Sequence, residues 1–135
     1  GIKIETIEAL LNELKTLLTG ISMLKEISKR SRDYLVSFGE RMSVRMMASY
    51  LESQGINAKF CDAWDIGFVS DSNYMSAELL DETWENIPKY LAAYKEGSES
   101  AIPIVTGFIA KDKKGNSYFF EWHTKNEVGY TIFIR

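Results

Sequence analysis

The run Ile102-Pro103-Ile104-Val105-Thr106-Gly107-Phe108-Ile109 is apolar almost throughout and rich in β-branched residues. A strand with one wetted face alternates apolar and polar side chains, whereas a strand covered on both faces reads as a continuous apolar run. Residues 102–109 are therefore expected to form a strand buried on both faces. Upstream, Ala58–Cys61 and residues 66–69 read as further short strands, separated by Asp62-Ala63-Trp64-Asp65. Asp71-Ser72-Asn73 is a turn signal. A helix is expected within residues 82–94, with Leu91 and Tyr94 inward, Pro88 in its first turn or kinking it, and Gly97-Ser98 at its end. This β-α-β order predicts an α/β fold with a mainly parallel core sheet and flanking helices.

Before the strands lie two helical patterns. Ile7, Leu10, Leu11, Leu14, Leu17, Leu18 and Ile21 recur at helical spacing, and Gly20 is placed to cap that helix. Residues 28–33, rich in serine and charge, read as a loop before a second helix, on which Met42, Met46 and Tyr50 repeat every four residues and Gly55 marks the stop. Met42, Met46 and Met47 are expected in the core. Residues 111–116 form a charged turn. Residues 117–122 and 130–134 suggest a C-terminal β-hairpin at a sheet edge. Its alternation is imperfect, because Phe133 falls on the face opposite Tyr130, Ile132 and Ile134.

At 135 residues the chain suits one domain, and its 45% hydrophobic and 26% charged residues are ordinary for a globular protein. A net charge of −3, without clustered Lys and Arg, argues against nucleic acid as partner. No apolar run approaches a membrane span, and no basic-then-apolar leader is present, so no membrane partner is expected. One cysteine, Cys61, cannot form an intrachain disulfide, which suits a reducing cytoplasm. A start at Gly1 within a helical pattern reads as a processing boundary.

Three stretches carry chemistry. The first is Ser31-Arg32-Asp33-Tyr34-Leu35-Val36-Ser37-Phe38-Gly39-Glu40-Arg41, which places an acid and a base beside a glycine at the expected mouth of the second helix. Glu40 could meet a ligand ammonium in a charge-assisted hydrogen bond, or simply favour the helix dipole as an N-terminal acid. The second is Asp62-Ala63-Trp64-Asp65-Ile66-Gly67-Phe68-Val69-Ser70-Asp71, and the third is the 102–109 run itself. Together, in this order, they resemble the aspartate kinases of the amino-acid kinase family. The resemblance covers roughly residues 13–115.

The resemblance implies a partial amino-acid-kinase sandwich over residues 1–115, with 116–135 as a divergent tail of the same domain. It implies transfer of the ATP γ-phosphoryl group to the side-chain carboxylate of aspartate, the first committed step toward lysine, threonine and methionine, with ATP and Mg as cofactors. It assigns Glu40 to the substrate ammonium and the backbone of Gly107 and Phe108 to the amino-acid pocket. Without it, Gly107 reads equally well as close packing at a strand end. Ala110 stands where the family usually has glycine. The family's N-terminal lysine and glycine strand motif and its Arg-Gly-Gly-Ser-Asp loop do not occur in these residues, so the chain is expected to be a truncated form. It should bind aspartate weakly, hold MgATP poorly and be inactive alone. The alternative is a non-catalytic remnant that binds an amino acid or a protein, with a homodimer as one way to cover its apolar surface.

Other candidates have blander readings. Asp62, Asp65 and Asp71 match no metal-loop spacing. Ser37 and Thr106 have no histidine and acid pair beside them for nucleophilic work. His123 reads as a hairpin side chain, Cys61 as core, Arg41 as a helix-face salt bridge, and Lys111, Lys113 and Lys114 as solubilising charges of a turn.

Overall fold

The structure, a computed structural model, describes residues 4–92, 94 and 100–119. Helix α1 spans Ile4–Leu24 and α2 spans Lys29–Ser53. The break between them differs from the expected loop. Ser28 caps α2, its hydroxyl accepting from the Ser31 N–H at 3.0 Å, so the helix starts at once and residues 29–33 are its first turns. Gly20 lies inside α1, and the chain leaves that helix at Lys25, whose φ of 53° is left-handed. Gly55, at φ 79°, follows the end of α2 as expected.

Strand β1, Ala58–Cys61, pairs in parallel with β2, Ile102–Val105, in the register Ala58↔Ile102 to Cys61↔Val105. Helix α3, Glu82–Ala92, lies between them in sequence. The molecule is thus mixed α/β, with a two-stranded parallel sheet and flanking helices. Pro103 fits this sheet by phase. Ile102 N donates to Asn57 O and Thr106 N to Cys61 O, so the intervening Pro103 faces away from β1, where a missing N–H costs nothing.

Expectations about the strands also need correction. Residues 102–109 are two strands, because the chain turns at 106–108 and resumes as β3, Ile109–Lys111. Nor is β2 covered on both faces, since Ile102 is 53% exposed. Residues 66–69 form no strand. A 3-10 turn, Ala63–Ile66, ends at Gly67 with φ 98°, and a Cβ there would meet Asn86 Cβ at 2.4 Å. Only Val69 then bridges, singly, to Lys111. Strand β4, Ser117–Phe119, pairs antiparallel with β3, with Ala110 opposite Tyr118, and so does not wait for residues 130–134. The rest of the expected hairpin, with Trp122 and His123, lies outside the described residues. Pro88 falls in the interior of α3, because that helix begins earlier than its proline suggests.

One core cluster gathers Cys61, Ile66 and Leu91 with Ile87, Tyr94 and Val105; a second gathers Ala77, Ala110 and Tyr118 with Tyr74 and Leu79. Cys61 Sγ lies 3.2 Å from the Tyr94 hydroxyl. That contact and burial push the tyrosine up to about 12. The methionines do not behave as core. Met46 and Met47 are about half exposed, and α2 instead buries Asp33, Ser37, Phe38, Val44, Arg45, Ala48 and Ser49. The polar members of that face hid it from a search for apolar periodicity. Helix α1 buries only Leu10.

The β3–β4 turn is organised by a buried carboxylate. Asp112 accepts from Ser72 Oγ, the N–H groups of Lys114 and Asn116, Asn116 Nδ2 and Tyr118 OH, at 2.9–3.1 Å. Burial alone would raise its pKa, but the Asn116, Tyr118 and Ser72 donors outweigh burial and hold it well below the usual carboxylate range. A depressed folded-state pKa means stability that is present above about pH 4, the unfolded value, and lost as pH falls through the folded one. Asp112→Asn turns an amide N–H₂ toward those donors. It should lower stability near neutrality by about 1–3 kcal/mol and flatten the acid limb. Urea unfolding between roughly pH 3 and 7 checks this; an unchanged acid limb would contradict it.

Candidate functional site

Helix α2 presents Asp33, Ser37, Glu40 and Val44 at three- and four-residue spacing, one face of the helix. Glu40 is well inside α2, not at its mouth, so the dipole reading of this acid is corrected: the favourable field is confined to the first turn. Asp33, 1% exposed, accepts the Met75 N–H on Oδ2 at 2.9 Å, and Oδ1 is buried with no hydrogen-bond partner among the described residues. Met75 itself is left-handed at φ 68°.

The C-terminal end of β2 arrives opposite this face. Open α/β sheets collect ligands at the carboxyl ends of their strands. Gly107 N donates to Glu40 Oε2 at 3.2 Å, and a Cβ at Gly107 would stand 3.4 Å from that oxygen. Phe108 follows at φ 54°, a left-handed conformation that costs a non-glycine residue roughly 1–2 kcal/mol. It is 42% exposed, while Ile109 and Ala110 are fully buried. Two sequence candidates far apart in the chain, Glu40 and Gly107, thus touch, and Phe108 is the next residue along the chain. Ala110 adopts ordinary strand geometry in β3, so a side chain there is accommodated.

Behind the contact lies an ion network that the sequence did not reveal. Asp62, buried at the end of β1, accepts from Arg45 Nη1 at 2.8 Å and Nη2 at 3.1 Å, and from Arg41 Nε at 3.3 Å. Arg41 also reaches Glu13 of α1 at 3.7 Å, and Tyr34 donates to the same Glu13. Arg41 is therefore a link between α1, α2 and β1, not a pair along one helix face. Trp64 has Arg41 and Lys111 over its ring at 5.4 and 4.3 Å. Asp71 anchors its own turn, accepting from Asn73 and Glu78 N–H groups. Asp62 and Asp71 thus serve separate tasks, and no group of three or more His, Cys, Asp or Glu converges among the described residues.

A nucleotide with Mg would need cations and carboxylates facing one space. Lys111 is held on Trp64, and Lys113 is paired with Glu82 across the surface. Ser37, with its hydroxyl bonded to Tyr34 O at 2.7 Å, is a helix-face residue. Neither Lys111 nor Lys113 therefore faces a carboxylate cluster that could hold Mg with a nucleotide. No described helix is long and apolar enough to cross a membrane.

The profile of the amino acid kinase family matches residues 3–123. The chain is 42% identical over 111 residues to the chloroplastic aspartokinase 2 of Arabidopsis thaliana, covering 82% of this chain and 20% of that one. It is 44% identical over 105 residues to the chloroplastic aspartokinase 1 of the same plant (77% and 18%), and 33% identical over 97 residues to the aspartokinase of Schizosaccharomyces pombe (72% and 18%). Among solved structures, aspartokinase III of E. coli in complex with aspartate and ADP superposes with a TM-score of 0.72 at 22% identity, over 89% of this chain and 26% of that one. The chain spans about a fifth of the length of the curated relatives it matches.

Proposed function

Since the chain belongs to the amino acid kinase family and is homologous to aspartokinases over most of its described length, we propose that it forms the amino-acid-binding part of an aspartate kinase. In this reading Glu40 takes the ammonium of L-aspartate, and the backbone of Gly107 and Phe108 lines the pocket. The supporting observation is the 3.2 Å contact between Gly107 N and Glu40 Oε2, which joins two motif residues at the end of a parallel strand. The same N–H and carboxylate that now bond each other are the donor and acceptor an amino acid would engage. The reaction proposed for the family setting is phosphorylation of the aspartate side chain with MgATP, in the biosynthesis of lysine and related amino acids. No phosphoryl step is assigned to the residues described here, because no cluster of carboxylates for Mg converges among them. A reducing aqueous compartment is proposed from the buried thiol of Cys61.

A titration of the ¹⁵N-labelled chain with L-aspartate and with succinate, which lacks the ammonium, tests the reading. Aspartate should shift the Gly107 amide and succinate should not, while ADP release from MgATP by these residues alone should stay at background. Equal response to both ligands would remove Glu40 from its assigned role. The second reading, a non-catalytic interaction module, is favoured by one observation. One face of α1 leaves Leu11 and Leu18, two turns apart, 48% and 46% exposed, an apolar patch suited to a second copy of the chain. A dimer in sedimentation velocity that binds no aspartate would support this reading over the first.

A further inference from the structure

We infer that Thr106 is a positioning residue for the amino-acid site: its hydroxyl oxygen, by holding the N–H of Ala63, aims the Gly107 N–H and the Phe108 backbone at Glu40. The inference rests on the aspartate-binding reading above and adds the residue that sets the width of that cleft. Thr106 is the one polar side chain in an otherwise apolar run from Ile102 to Ile109. It is 4% exposed, so its hydroxyl is not there for solvent. Oγ1 accepts from Ala63 N at 2.8 Å, and Thr106 N donates to Cys61 O at 3.1 Å. Ladder pairing of β2 ends at Val105 and β3 begins at Ile109, so these two bonds hold the chain where it leaves the sheet.

The tie closes a ring. Ala63 follows Asp62, which is held by Arg41 and Arg45 of α2, and Arg41 is the neighbour of Glu40. Contacts therefore run from Glu40 to Gly107, through Thr106 to Ala63 and Asp62, and back to α2 beside Glu40. Each side of the cleft is thereby referred to the same helix. The left-handed Phe108 sits just past the fixed point, so a small rotation at Thr106 would displace its backbone directly. Valine has nearly the same shape as threonine but no acceptor, so packing and hydrogen bonding can be separated by substitution.

The experiment is a titration of the ¹⁵N-labelled 135-residue chain with L-aspartate, comparing wild type, Thr106→Val, Thr106→Ser and Leu91→Ala. Leu91→Ala weakens the fold from α3, in the cluster with Cys61 and Val105, while leaving the Thr106 hydroxyl and its bond to Ala63 in place, and serves as the stability control. Thr106→Val should lose about tenfold in affinity, speed hydrogen exchange at the Gly107 amide and retain native circular dichroism. Thr106→Ser should restore affinity to within about twofold, and Leu91→Ala should leave it unchanged. Wild-type affinity in Thr106→Val, an equal loss in Thr106→Ser, or an equal loss in Leu91→Ala would each overturn the inference. If Thr106→Val does not fold, Thr106→Cys, whose thiol is a weak acceptor, must bind more weakly than Thr106→Ser; equal binding overturns it. A wild-type chain that binds no L-aspartate overturns both readings, whereas wild-type binding matched by Thr106→Val overturns only the role of Thr106.

Discussion

Asp62→Ala is expected to lower the unfolding free energy by about 3–5 kcal/mol, the usual cost of removing one partner from a buried ion pair. Its carboxylate is 5% exposed and faces two guanidinium groups whose side chains are only 10% and 13% exposed. Removing it leaves both charges buried. Arg45 would retain the Arg41 carbonyl at 2.7 Å and the Phe60 ring at 4.3 Å, and Arg41 the Phe38 ring and a 3.7 Å contact to Glu13. Those contacts are weaker than the carboxylate they would replace. Arg41 Nη1 already lacks a partner among the described residues, so the site has little spare capacity. Against a total of roughly 5–15 kcal/mol for a domain, the loss is large. Urea unfolding followed by circular dichroism measures it, and Asp62→Ala/Arg45→Met should regain part of the loss by removing one stranded charge. An unchanged midpoint for Asp62→Ala would mean that water already screens these arginines.

Glu40→Ala should weaken L-aspartate binding by about 30-fold or more. Truncating one side of a desolvated charge pair costs about 2–5 kcal/mol, and each 1.4 kcal/mol is tenfold. Glu40 is only half-buried and no ion pair within the described residues depends on it, so the fold should survive and the loss should appear in binding. Glu40→Gln separates two contributions. Its amide oxygen can still accept from Gly107 N–H, which preserves geometry, but it carries no charge for the ammonium. If charge dominates, Gln should behave nearly like Ala; if geometry dominates, Gln should stay close to wild type. Isothermal titration calorimetry reads all three, and a change of less than about twofold in Glu40→Ala would remove this residue from the pocket.

Much of the architecture was legible from local pattern. β2 was found, though shorter than expected, because a β-branched apolar run bounded by polar turns has few other uses, and β1 was read as a short strand without any β-branched residue. α1 followed from its leucine spacing, and Leu91 and Cys61 were placed inside by the same reasoning. The errors at residues 66–69 and at the methionines share one cause: a local signal lost to a neighbour in space. Gly20 resembled a cap but continued as helix, while Lys25 took the left-handed exit. Residues 66–69 had strand composition, but Gly67 had to bend where Asn86 of α3 leaves no room for a side chain. Met46 and Met47 had core composition, but the buried face of α2 includes Asp33 and Arg45, whose partners are the Met75 N–H and the Asp62 carboxylate.

The amino-acid sequence by itself determined the elements and the order of the motifs, because helix and strand periodicity and turn chemistry act over a few residues. It also marked Glu40 and Gly107 as candidates without showing that they meet. Only the tertiary structure decided that contact, the fate of Asp62 and the hydrogen bond that the Thr106 hydroxyl accepts from Ala63. Those interactions join residues between 17 and 67 positions apart. Their free energy appears only once burial has excluded water and left each donor a single acceptor within reach.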